Sequence, residues 1–179
     1  MPKVAKRRSR PNAVLSESGE PLASLELRAW IPYRCSVVAN RVSHCLERMY
    51  GEQFGLTVPG WRIMAYLGRY APLSAKEVAE RTAMDQVQVT RAITQMASVG
   101  LISRRVDVHD RRRVVLRLSQ KGLDAYAQIV PLAKAIEKKL LAGLSAPERS
   151  ELSRLTEKLM LSAEATLGDE VDWRTFANP

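Results

Sequence analysis

Two short helix signatures in tandem, followed by a charged hairpin, constrain this chain more than anything else in it. Ser74-Ala75-Lys76-Glu77 has the form of a capping box, in which the serine hydroxyl and the glutamate carboxylate each satisfy a free amide at a helix start. The helix it opens is expected to reach about Arg81, where Thr82-Ala83-Met84 breaks it. Asp85-Gln86-Val87-Gln88 repeats the form and opens another helix that ends near Gly100. Two capped short helices joined by a tight turn are the sequence form of a helix-turn-helix. Leu101 to Val106 and Val114 to Leu118 are β-prone and flank a charged loop, so a hairpin follows the helix pair.

Longer helices flank this centre. From about Ser24 to Tyr50, Ile31, Cys35, Val38, Val42, Cys45 and Met49 step by 4, 3, 4, 3, 4, the stripe of a helix that packs on other helices; Pro32 kinks or delimits it. A second helix is expected from about Pro59 to Tyr70, with Trp61, Met64, Ala65 and Leu67 turned inward. Ser119 caps a long helix from near Gln120 to about Ala142, with Pro131 as a kink. Ser145-Ala146-Pro147-Glu148 opens a last helix carrying Leu152, Leu155, Leu159 and Ala163 at 3-4-4 spacing. Trp173 and Phe176 in the tail are available to pack.

The expected fold is mainly α with a small β wing: a winged helix-turn-helix with N- and C-terminal dimerisation helices. It divides into a disordered basic arm over 1–22, an N-terminal dimerisation helix over 23–56, the winged helix-turn-helix over 57–118, C-terminal dimerisation helices over 119–168 and a tail over 169–179. The outer helices carry apolar stripes that the compact centre cannot absorb, which favours homodimerisation through the two ends.

Charge narrows the partner. The 179 residues hold 28 Lys and Arg against 19 Asp and Glu, a net charge of +9, which points to a polyanion with nucleic acid ahead of a membrane surface. The excess is concentrated. Lys3, Lys6, Arg7, Arg8 and Arg10 face Glu17 and Glu20 in the arm; Arg104, Arg105, Arg111, Arg112, Arg113 and Arg117 face Asp107 and Asp110 in the hairpin. Consecutive arginines on a projecting loop repel one another, and a phosphate backbone or a narrow minor groove offsets that repulsion. The arm either follows the phosphates or is a solubilising tail.

In the second helix of the pair, Val89, Ala92, Ile93 and Met96 are expected to face the core, leaving Gln86, Val87, Gln88, Thr90, Arg91, Thr94 and Gln95 outward. Glutamine can bond adenine, arginine can bond guanine, and valine or threonine can meet a thymine methyl. The competing reading is an ordinary solvated face; the adjacent basic hairpin favours base reading.

Asp110-Arg111-Arg112-Arg113-Val114-Val115-Leu116-Arg117-Leu118-Ser119-Gln120-Lys121-Gly122 resembles the wing signature of the MarR family of bacterial regulators. Leu73 to Arg81 resembles the first helix of that family's helix-turn-helix; Val89-Thr90-Arg91 and Gly100-Leu101-Ile102-Ser103-Arg104 resemble its recognition helix and wing entry. The resemblance runs over roughly 30–165 and departs at Val108-His109, where many members place Pro just before the Asp. It implies a triangular homodimer, double-stranded DNA with an inverted-repeat operator, wing arginines in the minor groove and repression relieved by a small ligand. By it, Arg112 is the residue that enters the minor groove and Asp110 orients it. The candidate DNA-contacting set is Ser74, Lys76, Gln86, Val87, Gln88, Thr90, Arg91, Gln95, Arg104, Asp110, Arg111, Arg112 and Arg113.

Members that respond to ligands often bind them between the first two helices and the start of the fifth. Here Arg34, Arg41 and Arg48 recur every seven residues, Asn40 and His44 lie near them, and the second helix supplies Trp61, Arg62 and Tyr66. Basic and amide groups beside aromatics suit an aromatic acid or its CoA thioester; an arginine stripe that is solvated, or paired across a dimer, is the alternative. Two further readings use the same scaffold: a thiol-based redox sensor using Cys35, and an architectural DNA-binding protein without effector.

Other classes find no support in the residues. Two histidines and two cysteines lack metal-site spacing, and there is no phosphate loop, nucleophile elbow or paired catalytic carboxylate, so neither cofactor nor enzyme activity is expected. No apolar run is long enough for a membrane span, and Cys35 and Cys45 make no disulfide framework. A cytoplasmic, nucleoid-associated bacterial protein is expected.

Overall fold

A computed structural model describes residue 18 and residues 23–108, 110–168 and 171–176. The basic arm from Lys3 to Arg10 lies outside the described residues, as does His109 at the hairpin tip. The described elements run α1 (Ile31–Phe54), α2 (Val58–Tyr70), α3 (Ala75–Thr82), α4 (Gln86–Ser98), β1 (Ile102–Val106), β2 (Val114–Leu118), α5 (Gln120–Leu140), α6 (Ala146–Thr166) and a short 3-10 turn (Trp173–Phe176).

The chain divides into two compact units, residues 1–48 and 49–179. In the first, α1 starts at Ile31, not near Ser24. Leu27 to Ala29 form a turn instead, and Pro32 occupies the helix's second position, where it needs no intrahelical partner for its nitrogen. Of the expected apolar stripe, Ile31, Cys35 and Val38 are exposed.

The second unit is built from capped elements. Thr57 Oγ1 accepts from the Gly60 amide at the start of α2. Ser74 and Glu77 form both halves of the expected capping box. Asp85 Oδ1 accepts from the Gln88 amide at 2.7 Å, a one-sided cap rather than a reciprocal box. Ala83 takes the left-handed conformation (φ 49°) that ends α3 and turns the chain into α4.

The core of this unit joins the helices to the hairpin. Ile63, Met64 and Leu67 of α2, Val78 of α3, and Val89, Ile93 and Met96 of α4 are buried with Leu101, Ile102, Val115, Leu116, Ala125 and Ile129. The valine, leucine, isoleucine and methionine side chains buried to this extent contribute roughly 1.5–3 kcal/mol each. Ile63 is inward where the sequence pointed to Ala65 and Trp61, both of which are only half-buried.

β1 and β2 pair antiparallel, from Ile102 opposite Leu118 to Val106 opposite Val114. Leu73 adds a bridge to Leu116 through two backbone hydrogen bonds of 2.8 and 3.3 Å. The hairpin base is closed by Ser119, whose hydroxyl donates to the Gly100 carbonyl at 2.6 Å and accepts from the Gly122 amide at 3.0 Å. A Cβ on Gly122 would lie 2.0 Å from the Leu101 carbonyl oxygen, so this close approach of α5 to the hairpin requires glycine.

α5 continues past Pro131 and ends at Leu140, two residues short of the expected Ala142. In α6, opened by the Ser145–Glu148 box, no residue is buried. Phe176 is also exposed.

Candidate nucleic-acid interface

Burial of Val89, Ala92, Ile93 and Met96 orients α4 and leaves the opposite face outward. Gln86, Val87, Gln88, Thr90, Arg91 and Thr94 are exposed. Thr90 and Thr94 donate their hydroxyls back to the carbonyls of Gln86 (2.7 Å) and Thr90 (2.9 Å), so toward solvent they offer a methyl and an acceptor lone pair. Among the described residues the side chains of Gln86, Gln88 and Arg91 have no hydrogen-bond partner, and Val87 adds an exposed apolar group beside them. Donors, acceptors and methyls in one row are what base edges in a major groove require.

Gln95 departs from this face. Its amide nitrogen donates to the Gly55 carbonyl at 2.9 Å and its carbonyl oxygen accepts from Thr57 Oγ1 at 3.2 Å. Both ends of the side chain therefore fasten α4 to the loop before α2, so its amide is engaged within the protein and is not turned to solvent with the rest of that face. Ser74 is likewise committed: its hydroxyl donates to Glu77 Oε2 at 2.8 Å and accepts from the Glu77 amide at 3.3 Å, and the residue is half-buried. Lys76 is exposed, with Glu80 3.9 Å away one turn along.

At the wing, Asp110 acts through backbone rather than by orienting a guanidinium. Its carboxylate accepts from the Arg112 amide at 2.9 Å, and its carbonyl accepts from the Arg113 amide at 2.9 Å. These bonds fold the tip so that Arg111 and Arg112 are exposed, without acidic partners among the described residues. Arg104 is also exposed, on β1 opposite Leu116.

Arg113 differs from its two neighbours. It is half-buried and pairs with Glu77 through a short Nη2–Oε2 contact. The Ser74 amide and hydroxyl, and then Arg113, hold the Glu77 carboxyl at about 2, below its usual 4.5. Glu77 was legible from sequence only as a capping residue, because its second partner lies 36 residues away and no local spacing signals it.

The candidate ligand residues fall in both units. In the first, Arg34 and Arg41 line an open recess of about 390 Å³ together with Arg28, Tyr33 and Val37. Asn40 and His44 are exposed and not part of its lining; His44 Nδ1 lies 3.8 Å from Glu47. In the second, Trp61 packs its ring against Tyr50 and Tyr126 with centroids 6.2 and 6.5 Å apart, and Tyr66 lies 5.9 Å from Tyr70. Arg62 is exposed. Cys35 is exposed and Cys45 half-buried. No helix among the described residues is long and apolar enough to cross a membrane.

The family model described as MarR family matches residues 54–113, the stretch from the end of α1 to the wing tip. The HTH-type transcriptional repressor MdtR of Bacillus subtilis (strain 168) is 29% identical over 119 residues, 66% of this chain and 76% of that protein. Among solved structures, the PcaV transcriptional regulator of Streptomyces coelicolor, in complex with its natural ligand, aligns over 80% of this chain and 100% of its own at a TM-score of 0.68 and 21% identity. The S. aureus MepR–DNA complex aligns over 75% of this chain and 97% of its own, also at 0.68, with 19% identity.

Proposed function

We propose that the chain is a winged helix-turn-helix transcriptional regulator of the MarR family, a repressor that binds an inverted-repeat operator as a homodimer. It is a regulator and not an enzyme. In this reading α4 enters the major groove, where Gln86, Val87, Gln88, Thr90 and Arg91 meet base edges, and Arg111 and Arg112 enter the flanking minor groove. Lys76 and Arg104 meet phosphates. One observation carries the reading: an exposed polar face on α4 beside a hairpin tip whose two arginines lack acidic partners among the described residues. MdtR, the B. subtilis relative, is itself a repressor, and MepR has been solved on DNA. The protein then resides in the cytoplasm, at the nucleoid.

The test is fluorescence anisotropy on a labelled duplex selected from a randomised library by the full chain. Tight, salt-dependent binding is expected, with the logarithm of affinity falling by roughly 0.9 per neutralised phosphate against the logarithm of salt. Arg112→Ala weakens binding about tenfold, and Gln88→Ala relaxes base preference on reselection. Equal affinity for the selected duplex and for random sequence would sink the proposal.

An effector is proposed for the recess on the first unit. Arg28, Arg34 and Arg41 beside the Tyr33 ring suit a carboxylate or phosphate carried on an apolar body, such as an aromatic acid or its CoA thioester. PcaV has been solved with a natural ligand. A thermal-shift screen of aromatic acids and acyl-CoA thioesters tests this, because a ligand of the folded state raises the melting temperature. The gain should disappear in Arg34→Ala and Arg41→Ala; a gain unchanged in both would exclude the recess.

A further inference from the structure

We propose that Arg113 is a positioning residue for DNA binding: paired with Glu77, it fixes the outer half of the hairpin against the start of α3 so that Arg111 and Arg112 reach the minor groove, and it makes no DNA contact itself. The proposal rests on the reading that the wing tip contacts DNA.

The two halves of the hairpin are held differently. The inner half is anchored by the buried side chains of Ile102, Val115 and Leu116 and by the backbone bridge between Leu73 and Leu116. Beyond Val115 the apolar anchors stop. Among the described residues of the outer half, Val106, Val108 and Val114 are 56%, 87% and 50% exposed. A two-stranded ribbon without apolar cover is marginally stable and free to swing.

Arg113 closes that outer half. Its amide donates to the Asp110 carbonyl and its carbonyl accepts from the Asp107 amide at 2.8 Å, so its backbone is fixed at the exit of the tip loop. Its side chain then reaches to Glu77, where Oε2 already accepts from the Ser74 amide at 2.7 Å and the Ser74 hydroxyl at 2.8 Å. The carboxylate is thus held in place by bonds local to α3, and such a preorganised acceptor orders its partner at little further entropic cost. A displaced wing would carry Arg111 and Arg112 away from the groove while α4 stayed in register.

The test compares Arg113→Ala and Glu77→Gln with the parent protein on the same selected duplex, across a salt series. Glutamine serves at this position of a capping box, so α3 keeps its start. Positioning predicts that Arg113→Ala weakens binding by about five- to tenfold and lowers the salt slope, because Arg111 and Arg112 leave the DNA, and that Glu77→Gln lowers the slope likewise. Glu77→Gln removes a negative charge near a polyanion, so electrostatics alone predicts tighter binding; positioning predicts a loss like that of Arg113→Ala. In an Arg112→Ala background both substitutions should lose most of their effect, which a general loss of stability would not produce. A salt slope lowered in Arg113→Ala but unchanged in Glu77→Gln marks a direct phosphate contact and overturns the proposal. Tighter binding by Glu77→Gln, or losses that add to that of Arg112→Ala, overturn it as well. Should Arg113→Ala fail to fold, Glu77→Gln decides by its sign. If Arg112→Ala binds like the parent, the wing-contact reading itself fails and this proposal with it, an outcome distinct from a slope lowered in Arg113→Ala alone.

Discussion

Gly122 and Ala83 are single residues at which backbone geometry, not side-chain chemistry, is limiting. At Gly122 a methyl group would meet the Leu101 carbonyl oxygen, part of a backbone that cannot swing aside. Gly122→Ala should therefore cost about 1–3 kcal/mol, read as a lower midpoint in urea denaturation. Ala83 holds a positive φ of 49°, which strains a side chain with a Cβ, and it is exposed, so its methyl contributes little packing. Ala83→Gly is expected to raise stability by up to about 1 kcal/mol, net of the greater entropy glycine loses on folding. The first position was visible in the sequence as the glycine that ends the wing signature. The second was visible only as a break between helices, because nothing in Thr82-Ala83-Met84 specifies which residue turns left-handed.

Among the elements, α3 is the one whose stability is most tied to pH. Glu77 titrates at about 2 in the folded protein against 4.5 ordinarily, mainly because the Ser74 amide and hydroxyl donate to it. Its bonds stabilise the fold fully at pH above about 4.5, and that contribution is lost as pH falls from there toward about 2. Thermal melts over this window should show a steeper decline for the parent than for Glu77→Gln. The side chain is 34% exposed, so solvent screening limits the size of the effect. The helix starts from α3 to α6 were legible because caps are local: a Ser or Asp oxygen and an amide three residues on suffice, whereas α2 was placed by Pro59 and its Thr57 cap was missed. The start of α1 was not legible. A start near Ser24 was expected, but the helix begins where its apolar stripe does, at Ile31 beside Pro32.

For the whole molecule, the exposed apolar surface of α6 is the feature left unexplained by a single chain. Leu152, Leu155, Leu159, Met160 and Leu161 are 40–73% exposed along one helix that has no buried residue. Patches of this kind mark association surfaces. In the proposed homodimer, Leu155→Glu combined with Leu159→Glu should convert a dimer to a monomer in sedimentation experiments. The same change should weaken operator binding, because the two half-sites would then be bound independently. A monomeric parent protein would remove the basis for this prediction.

Sequence alone determined the order of elements, the inward face of α4 and the arginine-rich tip of the wing. Each depends on residues within a few positions of one another: caps, a helical period, a strand alternation. Tertiary structure decided which of those side chains remain available. Gln95 is fastened to Gly55 and Thr57, Ser74 is consumed by its own cap, Asp110 folds the tip through backbone amides, and Arg113 is turned back to Glu77. Gln95 and Arg113 meet partners some 40 and 36 residues distant, and no local pattern encodes a distant acceptor. Three consecutive arginines that look equivalent in the wing sequence therefore divide into two that face solvent and one that is held by a carboxylate.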